Sequence, residues 1–162
     1  MECRSVTNVI IGKGVASIDE GAFYSVGRFN FNRISFLGNA PVLTRFPPWE
    51  PPGVFHPDAT IYYLPGTSGW TSSFGGRPTA VWHLPTPTIL TLPPYFGVQT
   101  NQFGFRVSWA TNRTTVIEAC TDLASPSWVP LATNSLTPFL WFYFNDPEWT
   151  NFPNRIYRVR QQ

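Results

Sequence analysis

The sequence predicts a mainly β protein in two parts: a truncated solenoid closed by a C-terminal cap, and a β-sandwich domain. An apolar pair of residues recurs after twenty-five positions, first as Val9/Ile11 and then as Ile34/Phe36. A repeat of this length with one strand per turn is typical of a solenoid. Seventeen prolines, twelve glycines and an aromatic content of 17% favour short strands and turns over long helices.

The low charge of the chain narrows the classes of partner that we expect. Charged residues make up 12% of the 162 residues, and the net charge is +2. This charge is too low and too evenly spread for a nucleic-acid-binding surface, so no nucleic-acid partner is expected. The chain contains no apolar run of eighteen residues and no signal-peptide pattern, so we expect neither a membrane span nor a signal peptide within it.

Cysteine and histidine are both rare in the chain. Cys3 and Cys120 are a single distant pair, which leaves both a disulfide and two free thiols open. The two cysteines and two histidines do not have the spacing of zinc ligands. The phosphate-binding and dinucleotide-binding fingerprints are also absent. We therefore expect no metal and no cofactor.

Residues 1–83 are predicted to form the solenoid remnant and its cap. Apolar runs predict strands at 6–11, 33–37, 60–64 and 79–82. Between the first two strands, apolar residues with helix-like spacing predict a short helical turn over 18–23. A second short helix is predicted over 68–74, ending at Gly75.

Residues 84–88 are predicted to be a proline-rich linker, and residues 89–162 are predicted to form the sandwich. Two alternating prolines make residues 84–88 an extended, stiff connector. Alternating apolar and polar residues predict strands at 103–109, 115–120 and 155–160, and a dense aromatic run predicts one at 139–144, with turns between them. On the last strand, Arg155, Arg158 and Arg160 are expected to discourage edge-to-edge pairing.

Two stretches of the chain resemble known families. The repeat pattern is carried by Val6, Val9, Ile11, Gly12, Val15, Ser17, Ile18, Ala22 and Phe23. Residues 60–66, followed by Trp70 and Trp82, look like a closing cap. On these residues the first part resembles the C-terminal end of a BspA-type bacterial leucine-rich-repeat array. Segments 96–105, 116–123, 127–130 and 144–159 are similar to fibronectin-III-like or immunoglobulin-like tails of secreted or surface proteins from environmental bacteria.

The resemblance implies a piece of a longer bacterial protein that is secreted or displayed on the cell surface. Full-length proteins with this repeat are thought to bind host or matrix proteins. The leading expectation is therefore a non-catalytic adhesion or binding module with a protein or glycan ligand. An upstream repeat would cover the face formed by Val6, Val9 and Ile11. With that face open, the chain is expected to self-associate through residues 5–11.

A small hydrolase acting on esters or glycosides is the first alternative. An ester reaction would use Ser68 as nucleophile, His56 as base and Asp58 to orient the histidine. A glycoside reaction would use Asp146 and Glu148, because glycosidases act through two carboxyl groups ~5 Å or ~6.5–9.5 Å apart. The plainer interpretation of all five residues is that they belong to polar turns and loops.

A carbohydrate-binding module is the second alternative. Trp49 lies in a proline-rich loop and Trp149 lies in a polar loop. On such loops an exposed indole face stacks on a sugar ring. Burial of both rings in a core is the plainer interpretation, because tryptophan carries a large apolar area.

Overall fold

The computed structural model describes residues 7–19, 22–23, 31–44, 54–108, 113–135 and 140–162. Strands account for 48% of these residues, and none of them lies in an α-helix. The mainly β class predicted from the sequence is therefore confirmed. The chain divides into two compact units, residues 1–82 and residues 83–162. Nothing in the described residues forms a helix with the length and hydrophobicity that a membrane span requires.

The first unit is built on a mostly parallel sheet. Strands β1 (Asn8–Ile11), β3 (Arg33–Phe36), β5 (Thr60–Tyr63) and β7 (Arg77–Val81) pair in this order in parallel, and β6 (Ser73–Phe74) pairs antiparallel to β7. A separate parallel pair joins β2 (Ser17–Asp19) to β4 (Val42–Thr44). Asn8, Arg33 and Thr60 lie side by side in the ladder although 25 and 27 residues separate them along the chain. Each of these stretches of 25 or 27 residues therefore adds one strand to the sheet.

Alternate side chains of the parallel strands pack into one apolar core. Ile34 and Ile61 are neighbours in the ladder and are fully buried, and Phe36 is almost fully buried beside them. Trp70 packs on Phe36 and stacks on Tyr63 at 5.3 Å between ring centroids. Its indole N–H donates to the Thr67 hydroxyl at 2.9 Å. Trp70, which packs against the core, thus anchors the segment after β5.

The helix predicted over 68–74 is wrong, and the helical turn predicted over 18–23 is wrong at Ile18, whereas Glu20 and Gly21 lie outside the described residues. Within the predicted turn over 18–23, Ile18 lies in β2, where it is buried between two exposed neighbours and pairs with β4. Within the predicted helix over 68–74, Trp70 turns into the core and Ser73–Phe74 forms β6. Gly75 and Gly76 have φ of 57° and 75° and make the tight turn from β6 to β7. Such a two-glycine turn suits a hairpin, because both residues take positive φ without a Cβ clash.

The second unit contains two antiparallel sheets. One has the order β13 (Trp141–Asp146), β10 (Gln102–Ser108) and β8 (Thr88–Leu90), with β9 (Gly97–Gln99) also paired to β10. The other has the order β12 (Val129–Asn134), β11 (Thr115–Cys120) and β14 (Ile156–Gln161). A 3₁₀ turn, Trp149–Asn151, lies between β13 and β14.

The two sheets contribute side chains to one apolar core. Phe105, Val107 and Phe144 come from the first sheet, and Ile117 comes from the second. Phe105 also contacts the ring of Tyr157 from β14, with 5.6 Å between the centroids. Cys120 is buried and carries a free thiol in the described part of the chain, whereas Cys3 lies outside the described residues.

Candidate functional site

His56 and Asp58 lie together on the turn before β5. The backbone N–H of Asp58 donates to Nδ1 of His56 at 3.3 Å, and the Asp58 carboxylate lies 3.8 Å from the same nitrogen. The Asp58 side chain is 82% exposed, so water screens its interaction with the imidazole. Ser68 lies on another turn, where its N–H donates to the side chain of Asn39 at 3.0 Å. No hydrogen bond or ion pair between described residues joins Ser68 to His56 or Asp58.

Asp146 and Glu148 lie at the end of β13 in different environments. Asp146 is buried, and its Oδ1 accepts the backbone N–H of Glu148 at 3.0 Å. Its Oδ2 accepts a hydrogen bond from the Tyr157 hydroxyl at 2.9 Å and forms an ion pair with Nε of Arg155 at 3.0 Å. Glu148 is exposed. Burial raises the pKa of the Tyr157 hydroxyl, and its hydrogen bond to Asp146 raises that pKa further. Asp146 is thus a buried anion held by two hydrogen bonds and one ion pair.

Arg155 completes this network and was not among the predicted site residues. Its side chain is 10% exposed, and its guanidinium lies against the ring of Phe152, 4.1 Å from the ring centroid. In the sequence, Arg155 is only the first charged residue of the predicted strand 155–160. Its partner Asp146 is nine residues away on the far side of a turn, and no local pattern signals such a pairing.

Trp149 is hydrogen-bonded to the turn between β9 and β10. Its indole N–H donates to the carbonyl of Asn101 at 3.3 Å. Asn101 and its neighbour Thr100 have φ of 64° and 48°, values that suit a tight hairpin turn. Trp149 is partly buried, so part of the ring remains open to a ligand. Trp49, the other predicted binding residue, lies outside the described residues.

A second group of exposed rings lies on the outward side of β10 and β13. Because the alternate residues Phe105 and Val107 face the core, Arg106 faces outward. Its guanidinium lies between Tyr95, 3.3 Å from the ring centroid, and Trp141, at 4.3 Å. We call the surface formed by Tyr95, Arg106, Trp141 and Tyr143 the arginine–aromatic face.

Gly104 allows Tyr143 to lie flat on this face. Tyr143 is paired with Arg106 across the ladder and contacts Tyr95 edge-on, with 6.5 Å between centroids. A Cβ added at Gly104 would lie 2.5 Å from Cζ of Tyr143. The absence of a side chain at Gly104 therefore makes room for the ring. Tyr95 and Tyr143 are both exposed, which leaves two aromatic surfaces open beside a cation.

Another group of side chains lies on the outward side of the parallel sheet in the first unit, where Ile10 is exposed, Tyr62 and Ala80 are partly buried and Ser35 is buried. Ile10, Ser35, Tyr62 and Ala80 lie side by side across β1, β3, β5 and β7, and they are called the outward row below. Ile10 is 62% exposed. The guanidinium of Arg33 lies 3.7 Å from the ring centroid of Tyr62. An exposed aliphatic residue thus shares this side of the sheet with a stacked tyrosine and arginine.

Glu118 is the centre of a charged cluster on the second sheet of the second unit. It is buried, and its carboxylate accepts Nε of Arg160 at 2.8 Å and Nε of Arg158 at 2.7 Å. The hydrogen bond from Arg160 is the largest influence on the pKa of Glu118. Together with Arg158 it holds that pKa below its usual value, although burial acts in the opposite direction. These contacts tie β14 to β11.

Comparisons of the chain with protein-family models, with curated proteins and with solved structures give no match. Among the described residues, no group of three or more histidine, cysteine, aspartate or glutamate side chains is arranged to hold a metal ion. The outward row and the arginine–aromatic face are the candidate binding surfaces, and both are defined by the geometry of their own residues.

Proposed function

We propose that the protein is a non-catalytic binding module of the adhesive kind, with a protein ligand. The observation that carries the proposal is the outward row, where exposed Ile10 lies on the same side of the sheet as the stacked pair Tyr62 and Arg33. Tyrosine and arginine are enriched among the residues that dominate protein interfaces. A hydrogen-bonded parallel sheet also holds these side chains in fixed positions, so binding orders few groups.

The proposal includes a family and a location. Parallel strands that recur after 25 and 27 residues support a truncated BspA-type leucine-rich-repeat solenoid with a C-terminal cap. Two antiparallel sheets around one core support a fibronectin-III-like or immunoglobulin-like sandwich after it. Both interpretations agree with a parent protein that is secreted or displayed on a bacterial cell surface.

Self-association through β1 is part of the same proposal. In the described part of the chain, β1 is the last strand on its side of the sheet. Val9 and Ile11 are only partly buried, whereas their ladder neighbours Ile34 and Phe36 are fully enclosed. A second copy that adds to β1 would cover both the strand edge and these side chains. Sedimentation velocity should show a concentration-dependent dimer that Ile11→Lys abolishes, and a monomer at all concentrations would contradict this.

Binding to a panel of purified matrix proteins, measured by surface plasmon resonance, tests the main proposal. We expect saturable binding to at least one of them, weakened by roughly 30-fold or more in Tyr62→Ala, as for a dominant interface residue. Tyr95→Ala is a matched control, because Tyr95 is also a tyrosine stacked on an arginine but lies in the second unit. Equal loss in both variants, or no binding to any of the proteins, would contradict the proposal.

Glycan binding is the second candidate, and the arginine–aromatic face favours it. The rings of Tyr95 and Tyr143 are exposed, and an exposed ring offers a flat apolar surface to the C–H face of a sugar. On a glycan array the roles of the two variants should be reversed, with loss in Tyr95→Ala and retention in Tyr62→Ala. Ester and polysaccharide substrates tested with the same preparations address the hydrolase alternative. Turnover that disappears in folded His56→Ala or Glu148→Ala would replace the binding proposal.

A further inference from the structure

A cleft of about 300 Å³ opens at one end of the sheet that contains β11, β12 and β14. Its walls come from the end of β11 (Ala119 and Cys120), the start of β12 (Val129) and the segment before β14 (Phe152 and Arg155). This volume is at the lower end of the range found for small-molecule sites. The cleft has no part in the binding surfaces proposed above.

Arg155 gives the cleft an unused hydrogen-bond donor. The side chain of Arg155 is nine-tenths buried, and its Nε is occupied by Asp146 at 3.0 Å. Its Nη1 is buried and has no hydrogen-bond partner in the part of the chain that the structure describes. Arginine keeps its proton in proteins and only donates, so Nη1 can be satisfied only by an acceptor. A buried donor without an acceptor is unfavourable, and a ligand that supplies one gains that free energy.

The surroundings of Arg155 define the kind of acceptor. The ring of Phe152 covers the guanidinium and also lines the cleft, so a ligand reaches Nη1 by displacing this exposed ring. The guanidinium carries several N–H groups, so Nη1 can donate to a second acceptor while Nε stays paired with Asp146. The rest of the wall is formed by Ala119, Val129 and the Cys120 thiol, together with the hydroxyl side chains of Thr121 and Ser127.

We propose that this cleft binds a small carboxylic acid with an apolar body. The carboxylate accepts a hydrogen bond from Nη1 of Arg155, and the apolar body lies against Ala119 and Val129. Hydrogen bonds between two charged partners are shorter and stronger than neutral ones. An acid should therefore bind much more tightly than an alcohol of the same shape.

A titration of the full chain with benzoate, followed by ¹H–¹⁵N NMR, tests this inference. We expect saturable shifts at the amides of Cys120 and Val129 and at the Nε–H of Arg155. Benzyl alcohol, which has the same ring and no charge, should bind roughly 10- to 100-fold more weakly. Equal affinity for the two compounds would overturn the role of the carboxylate. Absence of saturable shifts with benzoate would overturn the site.

Two serine variants locate the binding without disturbing the Asp146–Arg155 pair. Ser127 is exposed and lines the cleft, so Ser127→Trp should block the cleft and weaken benzoate binding by about tenfold or more. Ser125 is also exposed but does not line the cleft, so Ser125→Trp should bind within about twofold of the unchanged protein. Equal binding by both variants would place the ligand elsewhere and overturn the inference.

Discussion

Replacement of Arg155 with methionine should destabilise the second unit by about 3 kcal/mol. The side chain of Asp146 is only 5% exposed, and Arg155 is the cation that neutralises it, at 3.0 Å. Removing one partner of a buried ion pair costs about 3–5 kcal/mol, because the other charge stays buried without compensation. We expect the lower end of that range, because the Tyr157 hydroxyl and a backbone N–H still donate to Asp146. Methionine also preserves much of the contact with Phe152.

Arg158→Met is the matched control for this prediction. The Arg158 side chain is 44% exposed, and its partner Glu118 keeps a second hydrogen bond from Arg160. Solvent screening therefore limits its expected loss to about 1 kcal/mol or less. Native-state hydrogen exchange at the amides of β10 and β11 measures both variants, since these strands belong to the second unit.

The double variant Asp146→Asn/Arg155→Met separates charge from packing. Without a buried charge, most of the stability lost in Arg155→Met should return, because a buried pair is often replaceable by uncharged residues at little cost. Losses for Arg155→Met and Arg158→Met that agree within about 0.5 kcal/mol would refute the argument from burial. A double variant as unstable as Arg155→Met alone would show that packing, and not charge, makes Arg155 important.

Three further predictions concern stability. Because the pKa of Glu118 is lowered in the folded state, its ion pairs should stabilise the second unit fully above the unfolded pKa and lose this effect as the pH falls through the folded pKa. Urea unfolding at several pH values should show this acid dependence, and Glu118→Gln should lack that part of it. Gly104→Ala should cost about 1–3 kcal/mol, because the added Cβ would lie 2.5 Å from Cζ of Tyr143, and Tyr143→Ser in the same chain should recover part of the loss in thermal unfolding. Ile61→Ala, at a fully buried position, should cost about 2–5 kcal/mol in urea unfolding, whereas Ile10→Ala should stay within about 0.5 kcal/mol, and similar values for the two would contradict the described core.

Alternating residues made the longer strands predictable. In β10, Phe105 and Val107 are buried while Arg106 faces outward, which is the period of two expected for a sheet with one covered side. The six-residue strand β12 escaped prediction because its sequence contains Pro130 and does not alternate apolar and polar residues. Strands of two or three residues escaped it because they cannot establish a period. The placement of Ile18 in a helical turn has the same origin. Ile18 is buried by pairing with β4, a segment more than twenty residues later, and no local spacing contains that information.

The candidate site residues were chosen for the chemistry of their side chains. Side-chain chemistry alone does not show which residues contact one another in the fold. His56 and Asp58 lie together because they are two residues apart in the chain. Ser68 was grouped with them only because serine can act as a nucleophile, and that grouping stays a prediction. Arg106 was passed over as one arginine among ten, since its position between Tyr95 and Trp141 depends on three separate segments of the chain.

The arginines of the last strand illustrate how pairing changes an interpretation. From the sequence, we expected Arg155, Arg158 and Arg160 to discourage edge-to-edge pairing of the last strand. In the structure, Arg155 neutralises Asp146 while Arg158 and Arg160 hold Glu118, so all three are used within the unit. Each buried carboxylate of the second unit's described residues is thus neutralised from β14 or from the residue before it. Because Arg155, the residue before β14, both pairs with Asp146 and borders the cleft, a contact that stabilises the second unit also positions a donor for a ligand.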